Sequence, residues 1–300
     1  MIYPNKKRLR RTMMFLNAQK PSLIKDPHIY QPDSIILDLE DAVAENQKDS
    51  ARYSLYHALK EIDYEGVERV VRINGLQTPH WKEDIDVSIA GGADVIRIPK
   101  TECAQDVHII EEHILAAEKR FKRAEGSTLI MAALESATGV MNALEVCKSS
   151  ERLIGIALSG GDYTKDLQTV ISGTGIELMG ARQHLIIAAR AAGVQCWDTM
   201  FSNLEAMDQF EEEVKMIKIM GFDGKSLVNP RQIEVVHRIF TPTQKEIGFA
   251  EKIVREIDEK KAQGIGVFTV DGKMIDIAFY DGAMRTIELA KAAGVYDGEL

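Results

Sequence analysis

Eight times in roughly its first 240 residues the chain follows a short apolar, β-rich run with a segment of helical period. The runs are 12–17 (TMMFLN), 34–39 (SIILDL), 69–74 (RVVRIN), 94–99 (DVIRIP), 129–134 (LIMAAL), 153–158 (LIGIAL), 196–201 (CWDTMF) and 224–229 (GKSLVN). Their length and β-rich composition predict strands. Between them, stretches such as AQDVHIIEEHILAAEKRF and ELMGARQHLIIAARAAG predict helices, the second stopped by Gly193. Eight strand–helix repeats predict an α/β chain built as a TIM-type (β/α)8 barrel over residues 1–240, in preference to an open doubly wound sheet.

The pattern changes over residues 241–300. TPTQKEIGFAEKIVREIDEKKAQG predicts a helix ending at Gly264, GVFTVDGKMID predicts a hairpin turning on Asp271-Gly272, and a last helix is predicted at roughly 279–293. This helix–hairpin–helix extension is surplus to a closed barrel, so it needs a job of its own.

Composition narrows the partners. A formal charge of −9 and a pI near 5.4 argue against general affinity for nucleic acid or anionic lipid. Apolar residues make up 45% of the chain without any run near the length of a membrane span. The start, MIYPNKKRLRRTMMFLNAQ, lacks a small-residue cleavage site and does not read as a signal peptide. Cys103, Cys147 and Cys196 are odd in number and far apart, which predicts neither a disulfide framework nor a zinc knuckle and suits a reducing cytoplasm. The basic cluster Lys6, Lys7, Arg8, Arg10 and Arg11 is expected to be a solvated tail, or else a contact for a phosphate-bearing carrier.

The candidate chemistry lies where strands end. LIMAAL runs into Glu135, and LIGIAL is followed by SGG and Asp162. In a barrel of this type the βα loops carry the reacting groups. Neighbouring strands lie about 4.8 Å apart, so two bare carboxylates there repel unless a cation lies between them. Mg2+ suits the pair, being hard, oxygen-seeking and content with one or two protein carboxylates. A helix N-cap or an ion pair is the structural alternative for each acid. At the matching place on the second strand, DLEDAV offers Asp38, Glu40 and Asp41; Glu40 and Asp41 suit hydrogen bonding to metal-bound water, with capping of the next helix as the alternative for Asp41. Arg72, in VVRIN, points into or over the barrel mouth, where its planar fork can take a substrate carboxylate or pair with a barrel acid. Lys100 is similarly placed. His108 and His113 in HIIEEH lack the zinc-protease spacing, GTGIELMG lacks the dinucleotide-binding spacing, and no GxSxG elbow occurs.

Together the stretches RLRRTMMFL, DLEDAV, VRIN, GGADVIRIPKTECAQDV, LESATGV, GDYTKDL, GFDGKSLVNPRQIEVVHRIFTPTQKE and GKMID, in this order along the chain, resemble the citrate lyase β-subunit family and its malyl-CoA and citramalyl-CoA lyase relatives. The resemblance implies a Mg2+-dependent carbon–carbon lyase that splits a citryl thioester on an acyl carrier protein into oxaloacetate and an acetyl thioester. It implies Glu135 and Asp162 as metal ligands, Glu135 also at the substrate, Arg72 on a carboxylate of the oxo-acid, and Asp276 as an acid on a C-terminal lid over a neighbouring subunit's barrel. A homo-oligomer, and a transferase subunit in a larger complex, come with it. Two other readings share these residues: a stand-alone citramalyl-CoA or malyl-CoA lyase, and a silent barrel that binds metal and oxo-acid. Where the family's first strand usually runs into a Pro-Gly loop, this chain has Asn17-Ala18, and Ile277-Ala278 follows Asp276 in place of a Gly-Pro-like pair.

Overall fold

Eight parallel strands form in the computed structural model, which describes residue 6 and residues 8–300. They are β1 (Thr12–Asn17), β2 (Ser34–Asp38), β3 (Glu68–Arg72), β4 (Val95–Ile98), β5 (Leu129–Leu134), β6 (Leu153–Leu158), β7 (Gln195–Asp198) and β8 (Gly224–Leu227). Each pairs with the next, and β1 pairs with β8 through Thr12–Lys225, Met13–Ser226 and Met14–Leu227, so the sheet closes. The helices Ala104–Arg120 and Met179–Ala192 occupy their predicted stretches, and Gly193 takes the left-handed conformation that ends the second.

The pleat decides which side chains fill the barrel, because every second residue of a strand faces inward. Met13, Ile36, Val70, Val95, Leu129, Met131, Ile154, Ala157 and Trp197 make the interior, with Phe15 packed against them. Two residues on from Ile36, Val70 and Val95 stand Asp38, Arg72 and Arg97, and four on from Met131 stands Glu135. The inward rows therefore change from apolar to charged toward the C-terminal mouth.

The N-terminal basic cluster is not a free tail at Arg10 and Arg11. Arg10 is fully buried and clamps Glu68, with Nε to Oε2 and Nη2 to Oε1 both at 2.7 Å, while Arg11 pairs with Asp33 at 2.8 Å. Their charges are matched by acids just before or at the start of β2 and β3. Lys7 lies outside the described residues.

The chain divides into two compact units, Met1–Val236 and His237–Leu300. In the second, the helix Gln244–Ala262 lays Ala250, Ile253, Val254 and Ile257 as one stripe onto Val270, Ile275, Ala283 and Ile287. Strands β9 (Val267–Val270) and β10 (Lys273–Asp276) turn on Asp271 and Gly272, both at positive φ, and the helix Phe279–Ala292 follows.

Candidate functional site

Glu135 leaves β5 at the barrel mouth and is 3% exposed. Ser159 Oγ donates to its Oε1 at 3.0 Å, whereas Oε2 is buried with no hydrogen-bond partner among the described residues. Burial, reinforced by the charge of Glu40, pushes the carboxyl up to about 7, against the opposing pull of Arg72 and Arg97. A carboxylate so placed lacks a positive partner on one oxygen.

Asp162 lies one stave away, in the first turn of the helix Gly160–Asp166 that follows β6, and lines a cleft of about 900 Å³ together with Arg72, Arg97 and Ser159, the residue that donates to Glu135. Neither acid is a helix cap: Ser136 caps the helix after Glu135, with its side chain accepting from Gly139 N, and Ser159 occupies the capping position before Asp162. Two carboxylate groups, one with an orphaned oxygen, fit a hard oxygen-binding cation. Among the described residues no cluster of three His, Cys, Asp or Glu side chains converges. A cation held here would complete its shell with water and substrate oxygens, a coordination Mg2+ favours.

Arg72 is held more tightly than its strand position alone predicts. Its Nε and Nη2 donate to Asp38 Oδ1 and Oδ2 at 2.8 and 2.7 Å, and its Nη1 lies 2.9 Å from Glu40 Oε2. Burial opposes its charge, but the bonds and charge of Asp38, with Glu40 behind, more than offset that and raise its pKa. The Asp38 clamp uses two of the five guanidinium N–H groups and fixes the plane of the rest. Glu40, 4% exposed, also accepts from Lys100 Nζ at 2.7 Å. Lys100 reaches it from a left-handed backbone, φ 49°, two residues past the end of β4. Asp41 is exposed, lies 3.6 Å from Lys100 and borders the cleft. It does not cap the next helical turn, where Ala44 holds that position.

Arg97 is the residue that reading along the chain passed over. It pairs in register with Arg72 and lines the cleft, and both guanidinium groups lie over the Phe15 ring, 5.2 and 4.9 Å from its centroid. Burial, with the like charge of Arg72, lowers it to about 10. The signal was present in DVIRIP: a cation inside an apolar strand, two residues past an inward valine, as in VVRIN.

Asp276, the last residue of β10, belongs to the second unit. Its Oδ1 accepts from Ala278 N at 2.9 Å, while the capping position of the final helix falls to Ala278, so Asp276 shapes the entry without being the cap itself. At the other departure from the resembled family, Asn17 braces its own loop: Nδ2 donates to Ala42 O at 2.6 Å and Oδ1 accepts from Gln19 N at 2.8 Å.

Citrate lyase subunit beta of Leuconostoc mesenteroides subsp. cremoris is 49% identical, with 98% of each chain covered. The protein of the same name from Escherichia coli K12 is 42% identical over 97% of this chain and 96% of that one. Among solved structures, protein CitE of Mycobacterium tuberculosis in complex with magnesium, acetoacetate and coenzyme A superposes with a TM-score of 0.75 at 25% identity, covering 94% of this chain and 98% of that one. A citrate lyase beta subunit from the same organism, complexed with oxaloacetate and magnesium, gives a TM-score of 0.65 at 25% identity over 79% of this chain and all of the other. The family model described as HpcH/HpaI aldolase/citrate lyase matches residues 11–230, the whole barrel from β1 past β8, and the chain belongs to that family.

Proposed function

We propose that this protein is a Mg2+-dependent carbon–carbon lyase that cleaves a citryl thioester, carried by an acyl carrier protein, into oxaloacetate and an acetyl thioester. The observation that carries the reading is the buried Glu135 carboxylate with an orphaned oxygen, one stave from Asp162 in a charged barrel mouth. Family membership and the relatives named citrate lyase subunit beta supply the substrate class.

Glu135 and Asp162 would hold the cation, with Glu40 and Asp41 positioned to accept from its waters. A bound Mg2+ supplies Lewis-acid stabilisation of negative charge developing on the hydroxy-acid oxygens. Arg72, oriented by Asp38, offers its remaining N–H groups to the carboxylate beside the reacting hydroxyl. The hydroxyl gives its proton to water, which returns one to the Asp276 carboxyl over the cycle; its C–O bond becomes a carbonyl, and the adjacent C–C bond breaks. The electron pair passes to the thioester half as an enolate, which Asp276 protonates at carbon. Oxaloacetate and acetyl thioester together contain every atom of the substrate.

Asp276 would act on the barrel of a neighbouring copy, which makes the second unit a lid and the active form a homo-oligomer. Exposed Met274, Ile277 and Phe279 around it offer an apolar rim suited to excluding water. Three free thiols suit a reducing cytoplasm, and a transferase subunit would complete the complex.

The test is mass-spectrometric product analysis of the pure protein with Mg2+ and citryl, citramalyl and malyl thioesters, each on acyl carrier protein and on free CoA. Preferred cleavage of the citryl carrier thioester is expected. Faster turnover of citramalyl- or malyl-CoA would overturn the substrate, and binding without any turnover would make the barrel a silent one.

A further inference from the structure

Among the described residues of the barrel unit, five cationic side chains are buried to 1% exposure or less: Arg10, Arg97, Arg152, Arg182 and Lys225. Four of them touch a carboxylate. Arg10 holds Glu68 at 2.7 Å, Arg152 holds Glu118 at 2.9 Å, Arg182 holds Asp198 at 2.8 Å, and Lys225 holds the same Asp198 at 2.6 Å. Arg97 is the exception. Among the described residues its Nε has no partner, and its Nη1 meets only the weak acceptor Met131 Sδ at 3.7 Å.

A buried guanidinium without an anion is an unfavourable arrangement, and proteins keep one where a ligand supplies the missing charge. Arg97 stands in the cleft beside Arg72, its cross-strand partner, on the same Phe15 ring. The two are electrostatically unequal. Arg72 is matched by Asp38 and Glu40, with Lys100 on the far side of Glu40. Arg97 adds a positive charge with no carboxylate in contact among the described residues, next to the group proposed for the substrate's first carboxylate.

We infer that Arg97 binds the second carboxylate of the oxo-acid half of the substrate and so sets selectivity for a dicarboxylic over a monocarboxylic oxo-acid. The inference rests on the citryl reading above and deepens it. Cleaving a citryl thioester releases oxaloacetate, which has two carboxylates, whereas a citramalyl thioester releases pyruvate, which has one. The same metal ligands and Arg72 would serve either substrate. What separates them chemically is one negative charge, and the cleft floor carries one positive charge to match it. A planar fork next to a planar fork can hold two carboxylates of one small molecule, each by parallel N–H bonds.

The experiment measures oxaloacetate and pyruvate binding to the full-length protein with Mg2+ by calorimetry, in wild type, Arg97→Met and Arg97→Lys, alongside thermal melting. Wild type is expected to prefer oxaloacetate. Arg97→Met should weaken oxaloacetate by about 100-fold, in line with losing one desolvated charge pair, and leave pyruvate within about threefold. Arg97→Lys should recover part of the difference. Melting of Arg97→Met should be unchanged or higher, because an uncompensated buried charge has been removed. Equal weakening of both ligands in a folded variant would overturn the assignment, since Arg97 would then serve the shared carboxylate or the barrel. So would unchanged oxaloacetate affinity, or a large fall in melting temperature in both variants. A wild type that prefers pyruvate would instead remove the dicarboxylate substrate on which both readings rest.

Discussion

Removing the charge of either proposed metal ligand should weaken the cation in the same way, because each carboxylate supplies an oxygen and half of the neutralisation. Glu135→Gln and Asp162→Asn are expected to lose at least about tenfold in Mg2+ affinity, since even outer-shell partners of metal ligands are worth that much. Calorimetry or Mn2+ titration reads it directly, and unchanged affinity in both variants would remove the site. Arg72 allows a sharper test, because Arg72→Lys keeps the charge but cannot reproduce the two parallel bonds to Asp38 at 2.8 and 2.7 Å. A loss of about 2–4 kcal/mol in transition-state stabilisation is expected, the range for breaking a buried charge-assisted pair. Near-normal kcat/KM would make Arg72 structural. The sequence made Arg72 and Glu135 legible because each is a charge where the apolar pattern requires none. By the same criterion Arg97 was legible and went unread, since burial without a partner is a property of three-dimensional neighbours. Arg10 was misread for the converse reason: a basic run looks solvated until the fold brings Glu68 to it.

At the scale of elements, the strand runs read along the chain fall within a residue or two of the observed strands, except β7, which stops at Asp198 although its run extends to Phe201. There the side chains take over. Lys225 Nζ donates to Thr199 O at 2.6 Å, and Gly160 N donates to Thr199 Oγ1 at 2.8 Å, which draws the segment out of the sheet. No local pattern encodes such long-range contacts. Closure of the barrel was likewise implied by the count of eight, but the tight backbone contact at its seam was not. A Cβ on Gly224 would strike the carbonyl oxygens of Arg10 and Arg11, where the chain enters β1 beside β8. Gly224→Ala should therefore destabilise by about 1–3 kcal/mol or more, the usual range for overpacking, with backbone as the obstacle. Urea unfolding would measure it, and a neutral effect would show that this seam has slack. Gly161, whose Cβ would meet nothing within 4 Å, is the control expected to tolerate alanine.

At the scale of the whole molecule, two compact units share one chain. The barrel unit carries Glu135 and Asp162, the second unit carries Asp276, and the helix Gln244–Ala262, at about 1.5 Å per residue, extends the chain by some 28 Å before the hairpin. If every lid serves a neighbour, a head-to-tail ring closes each site in turn, and a two-fold dimer exchanges lids reciprocally. The decisive measurement mixes two inactive variants, Glu135→Ala and Asp276→Asn, by co-expression, so that subunits combine at random. With sites shared between copies, about one barrel in two keeps its Glu135 and about one incoming lid in two keeps its Asp276, so roughly a quarter of wild-type activity should return. With each lid on its own barrel, every subunit lacks one of the two groups and no site is whole. Mixed oligomers that assemble, verified by mass, yet stay no more active than either parent would refute the exchange. Asp276 would then either act within its own chain or do no more than hold Ala278 at the entry to the last helix.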